Sequence, residues 1–167
     1  MDKLQRIIFH WTAGSHYPSM FERGKYHYLI DKDGNVHNGI HRPEDNLNCK
    51  DGNYAPHTAE WNTGSIGIAF CGMAGFLNKK QVGDYPLTKK QIEAGFKLAA
   101  ELVHADNISI HQIYTHYEVG LMKPHTENRG KIDIIYLPPY PEIKTSEVGN
   151  FIRSKVSWYY ENRKEQL

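Results

Sequence analysis

Three side chains that lie far apart in the sequence have the chemistry of a metal site. His10 closes an apolar run at residues 7–9, His116 is followed by a tyrosine and a glutamate, and Asp133 follows a Lys-Ile pair. Two imidazoles and one carboxylate suit a catalytic zinc ion, with the fourth position left for water. The residue types therefore indicate hydrolysis at a metal, rather than binding alone.

Length and composition favour one domain, which we expect to span residues 1–167 with its core in 7–138. The chain has 167 residues and a formal net charge of +1, so electrostatics gives no case for nucleic acid as a partner. Its two cysteines, Cys49 and Cys71, are too few for a disulfide framework, and we expect free thiols. We also expect a monomer.

The first residues and the hydropathy of the chain indicate where the protein is made. The first residues lack the apolar segment of a signal peptide, and no apolar stretch is long enough to cross a bilayer. We therefore expect synthesis in the cytoplasm and no stable membrane insertion.

Periodicity predicts strands mixed with a few helices. Strands are predicted at 6–11, 26–30, 36–40, 65–72 and 108–115. Thr88 and Gln91 form a capping box for a helix, and a C-terminal helix is predicted at about 146–162. Residues 117–130 are predicted as a long irregular loop. The fold class is α/β or mixed α+β, in which helices flank one central mixed sheet.

Four blocks of the sequence, in order, match a known family. They are residues 7–14, residues 26–34, the stretch from His57-Thr58 to Ile68, and the stretch from His116 to Asp133. On these blocks the chain resembles the zinc N-acetylmuramoyl-L-alanine amidases of the amidase-2 and peptidoglycan-recognition-protein family, to which phage lysozymes of the amidase type belong. The resemblance implies the fold of that family and a bound Zn²⁺.

The resemblance implies that His10, His116 and Asp133 bind the zinc ion. Family members often follow the third ligand with a Pro-Gly type of turn, which this sequence lacks, so His125 in the preceding loop is an alternative third ligand. Side chains two apart in an extended segment point the same way, which places Lys131 beside Asp133 and favours the aspartate.

Lys131 and Tyr26 are the catalytic partners that the resemblance implies. Lys131 would stabilise the oxyanion that develops during attack on an amide, and Tyr26 would orient the water or relay a proton. Some branches of the family use a glutamate in the place of the tyrosine, and Glu118 and Glu60 are the alternatives here.

Five further residues are candidates for substrate binding. His57 and Thr58 match positions that line the groove in the family, and Asn62 is expected to fix their loop through local hydrogen bonds. Tyr54 and Trp61 could offer flat surfaces to a sugar or a peptide stem, although ordinary packing explains such aromatics equally well.

The implied reaction is hydrolysis of the amide between N-acetylmuramic acid and L-alanine, with peptidoglycan as the partner. A phage or prophage endolysin, acting on the cell wall, is the favoured setting. The alternatives are a cytoplasmic amidase of recycled muropeptides, a peptidoglycan-binding module without catalysis, and a zinc hydrolase of another substrate.

Overall fold

A five-stranded mixed sheet forms the centre of the computed structural model, which describes residues 2–163. The strands lie in the order β3-β2-β4-β1-β5, and only β3 is antiparallel to its neighbour. Their bounds are β1 (Arg6–Trp11), β2 (Tyr28–Ile30), β3 (Val36–Asn38), β4 (Ser65–Phe70) and β5 (Ile113–Thr115). The predicted central mixed sheet is confirmed.

Within residues 2–163 the structure has four α-helices besides the sheet: α1 (Met20–Arg23), α2 (Lys89–Asp106), α3 (His116–Met122) and α4 (Val148–Glu161). Short 3₁₀ turns lie at Pro43–Leu47, Ile110–Gln112 and Thr145–Glu147. Helix α2 begins at the predicted capping box, since the Thr88 side chain accepts from the backbone N–H of Gln91. No helix in the described range 2–163 is long and apolar enough to cross a membrane.

The two faces of the sheet carry different side chains, because successive side chains of a strand point to opposite faces. Ile7, Phe9 and Trp11 of β1 enter the main apolar core, together with residues from α2 and α4. The Phe9 ring stacks on Phe70 of β4 at 5.6 Å and meets Phe96 of α2 edge-on. The alternation places His10 on the opposite face, which is left free for the site.

Several predicted segments differ from the structure. The strands predicted at 26–30, 36–40 and 65–72 are each two residues too long, since β2, β3 and β4 are shorter. Two other segments differ more. The stretch 117–130 is not wholly irregular, because α3 occupies its first part. A capping box starts this helix: the Thr115 hydroxyl and the Glu118 carboxylate each accept from the other's backbone N–H at 3.0 Å. The predicted strand 108–115 is also too long, because a 3₁₀ turn capped by Ser109 precedes the three residues of β5.

Candidate metal centre and cleft

Strand pairing brings the first two candidate ligands together. In the parallel pair of β1 and β5, Phe9 lies opposite Thr115. The next residues in the two strands' direction are His10 and His116, so the register itself sets them side by side. His116 is also the first residue of α3. Their ring centres are 4.7 Å apart.

Asp133 reaches the two histidines from the segment that follows α3. Its backbone carbonyl accepts from the N–H of Tyr117 at 3.4 Å, which holds this segment against the start of the helix. The next residue, Ile134, is buried and has a φ of 71°, a conformation that β-branched residues rarely adopt. The chain therefore turns sharply after the aspartate even without the Pro-Gly sequence usual in the family.

The three donor atoms converge at short distances. The Nδ1 atoms of His10 and His116 lie 3.1 Å apart, and Asp133 Oδ2 lies 2.9 Å from the first and 3.1 Å from the second. The side chains of the three residues are 1 %, 7 % and 13 % exposed, in the same order. Within the described residues they form the one group of this kind that could hold a metal ion.

A hydrogen-bond chain behind His10 determines which of its nitrogens is free. The Ser65 carbonyl can only accept, so His57 Nε2, at 3.2 Å, carries a proton and its Nδ1 keeps a lone pair. This Nδ1 lies 3.1 Å from His10 Nε2 and 2.8 Å from the Thr58 hydroxyl, and that hydroxyl lies 3.4 Å from His10 Nε2. His10 Nε2 therefore donates, and its Nδ1 is left unprotonated towards Asp133.

Asn128 has the same effect on His116. Its amide nitrogen donates to the Ala59 carbonyl and to the Thr126 hydroxyl, so its Oδ1 faces His116 Nε2 at 2.8 Å and accepts from it. The Nδ1 of His116 is then also a free lone pair. Such partners of the second ring nitrogen are typical of metal-ligating histidines.

The protonation states of these residues also suit a bound cation. Burial lowers the pKa of His10 to about 4, so its imidazole is neutral at physiological pH. Burial alone would raise the pKa of Asp133, but the close contacts with the His10 and His116 imidazoles hold this pKa below its ordinary value, so the group is a carboxylate. Two lone pairs and a carboxylate oxygen thus point at one another, and this donor set suits zinc.

The cluster lies in a cleft of about 340 Å³. Tyr26, Lys131 and His57 line it together with His116 and Asp133, and its apolar walls include Trp11 and Phe76. The Tyr26 ring centre is 5.1 Å from that of His10. Burial raises the pKa of Tyr26, so its phenol stays protonated and can donate a hydrogen bond. Lys131 is exposed at the mouth.

Four of the five residues expected at the substrate groove do not line this cleft. Thr58 is buried beside His57, and Asn62 Oδ1 accepts from the Thr58 N–H at 2.9 Å, which fixes the loop. The Trp61 ring packs against two cations, Arg6 and Lys123, which lie 4.2 and 4.9 Å from its centre. The half-buried Tyr54 also lies outside the cleft lining.

The residues considered as alternatives to Asp133 and to Tyr26 lie outside the site. His125 is exposed and is not part of the cluster with His10 and His116. Glu118 caps α3 and forms an ion pair with Arg153 at 2.9 Å. Glu60 is exposed and does not line the cleft.

Sequence reasoning missed two residues of the site. Asn128 lies in the segment predicted as a loop, and nothing in its local sequence shows that it meets His116. Lys25, next to Tyr26, lines the cleft beside the ligands. The sequence offered only a weak indication of this role, namely that Lys25 is next to Tyr26, which was predicted as a catalytic partner.

The sequence of residues 1–131 matches the N-acetylmuramoyl-L-alanine amidase family, Amidase_2. The chain therefore belongs to this family. The matched range contains His10, Tyr26, His116 and Lys131, and it ends two residues before Asp133. No curated protein sequence gives a significant match.

Solved structures show the same fold. N-acetylmuramoyl-L-alanine amidase LysC from Clostridium intestinale URNW has 18% identity and a TM-score of 0.58, over 94% of this chain and 87% of its own. A mutant of PlyL has 20% identity and a TM-score of 0.53, over 94% and 86%. Drosophila peptidoglycan recognition protein SD has 21% identity and a TM-score of 0.51, over 74% and 75%. The expected amidase-like fold is confirmed.

Proposed function

We propose that this protein is a zinc-dependent N-acetylmuramoyl-L-alanine amidase, a single catalytic domain that acts as a monomer. It hydrolyses the amide between the lactyl group of N-acetylmuramic acid and the L-alanine of the stem peptide. The observation that carries the proposal is the convergence of three unprotonated donors, two of them on residues that line an open cleft, in a chain of the Amidase_2 family.

His10, His116 and Asp133 hold the metal in this proposal, two through Nδ1 and one through Oδ2. When bound, a zinc ion supplies Lewis acidity and brings the pKa of a water to about 7. The Lys131 ammonium stabilises the negative charge that develops on the amide oxygen. The neutral Tyr26 phenol, close to His10, orients the attacking water by a hydrogen bond.

A peptidoglycan-binding module without catalysis is the second candidate, because the fold is shared with a peptidoglycan recognition protein. The hydrogen bonds made by His57 and Asn128 favour the amidase. They hold both imidazoles in the tautomer that a metal requires, which a binding surface alone would not need.

Digestion of purified sacculi tests the proposal. Release of new L-alanine amino termini without new reducing sugar ends is expected, with the release abolished by a chelator and restored by zinc. New reducing ends without amino termini would mean a glycosidase. Activity that survives thorough removal of zinc would refute the metal site.

We further propose that the natural substrate is the intact wall, in the manner of a phage or prophage endolysin. Lys131 and Ile132 line the cleft and are exposed, so the cleft opens at the surface, as a polymeric substrate requires. Clearing of murein in a zymogram is expected. Cleavage of soluble muropeptides alone would instead support the recycling role.

A further inference from the structure

The cleft carries two cations, and the reaction as proposed uses one of them. Lys25 and Lys131 both line it, whereas Asp133 is the one carboxylate among the described lining residues. The Asp133 oxygen faces the two ligand histidines and does not neutralise either lysine. The free cleft is therefore positive, and it becomes more so when a divalent metal binds.

Lys25 is held close to the reacting centre. Its Nζ lies 5.7 Å from the ring centre of Tyr26, whose ring is in turn 5.1 Å from that of His10. The side chain is half-buried.

Lys25 has no carboxylate partner among residues 2–163. None of the ion pairs found there includes it. Glu22, three residues earlier, uses its carboxylate to accept from the Ser19 N–H at 2.9 Å. A half-buried lysine that lines the cleft and has no carboxylate partner within the described residues suits an anionic group of a ligand.

The proposed substrate has such a group near the scissile amide. The second residue of the stem is a glutamate linked through its side chain, so its α-carboxyl group is free in some peptidoglycans and amidated in others. In the proposed reaction Lys131, two residues before Asp133, stabilises the negative charge on the amide oxygen. Lys25 approaches from the side of Tyr26 and is available for the second anionic group.

We propose that Lys25 binds the free α-carboxylate of the second stem residue, so that the enzyme selects stems with glutamate over stems with the amidated residue. This inference rests on the proposed function only for its substrate. The charge and the geometry of the cleft are independent of whether the bond is cut.

Binding is measured first, because it does not depend on hydrolysis. Calorimetry compares two stem tripeptides that differ only by carboxylate or carboxamide at the second residue, with the zinc-loaded protein. The unsubstituted protein is expected to bind the carboxylate about tenfold more tightly, on the scale of one charge-assisted hydrogen bond. Lys25→Met is expected to lose this preference, and Lys25→Arg to keep it. Lys50→Met, at an exposed lysine outside the cleft, is the matched control.

Hydrolysis of the corresponding disaccharide tripeptides then gives the ratio of kcat/KM for the two forms. Lys25→Met is expected to bring this ratio close to one, whereas Lys131→Met is expected to slow both substrates and keep the ratio. An unchanged preference in Lys25→Met, in binding or in hydrolysis, would overturn the assignment. Loss of the binding preference in Lys25→Met, without cleavage by the unsubstituted protein, would support Lys25 and refute the amidase.

Discussion

Replacement of His57 by leucine tests the hydrogen-bond chain that orients His10. Leucine removes the acceptor 3.1 Å from His10 Nε2 and leaves only the Thr58 hydroxyl, at 3.4 Å. The proton can then move to the Nδ1 of His10, where it competes with the metal. Loss of such a partner costs about 10- to 100-fold in metal affinity, which corresponds to about 1.4–2.8 kcal/mol.

His27→Leu is the matched control for this experiment. His27 is as fully buried as His57 and bonds to Asn46 at 2.9 Å and to the Gly67 N–H at 3.0 Å, but it makes no hydrogen bond to His10. Both variants are expected to lose thermal stability, and only His57→Leu is expected to lose zinc affinity. Competition with a chromophoric chelator measures the affinity. Equal zinc affinity in the two variants would refute the reasoning.

Three further predictions concern the cleft, the sheet and the thiols. Lys131→Ala should keep zinc but lose about 100-fold in kcat, as expected for one electrostatic donor, and zinc loss in this variant would contradict its role. In Gly67→Ala the new Cβ would lie 2.5 Å from His57 Cγ, so urea denaturation should show a loss of about 1–3 kcal/mol. Gly24→Ala, with its nearest contact at 3.5 Å, should change stability little. Burial raises the pKa of Cys71 to about 12, so at pH 8 its thiol stays protonated and should react with a thiol reagent far more slowly than the other cysteine.

The sequence pattern together with the resemblance to the amidases predicted that His10 and His116 meet. An apolar strand ends at each of them, and neighbouring parallel strands bring such ends to one edge of the sheet. The helix that begins at His116 could also have been predicted, because Thr115 and Glu118 form a readable capping box.

The contacts that determine the tautomers of His10 and His116 could not be predicted from the sequence. His57 approaches His10 because Gly67 of β4 leaves room for its ring, and Asn128 reaches His116 across a loop. Both contacts depend on the packed three-dimensional arrangement and leave no periodic signal in the chain. The same is true of Trp61, because the sequence could not show whether its ring packs against cations or offers a surface to the substrate.

Cleavage of a defined muropeptide in ¹⁸O-labelled water tests the central claim most directly. With the zinc-loaded protein, mass spectrometry should find the label in the lactyl carboxylate of the sugar product, together with a peptide that begins with unlabelled L-alanine. His10→Ala should give neither product. Label at a reducing sugar end, or no cleavage by the zinc-loaded protein, would contradict the assignment of this site to amide hydrolysis.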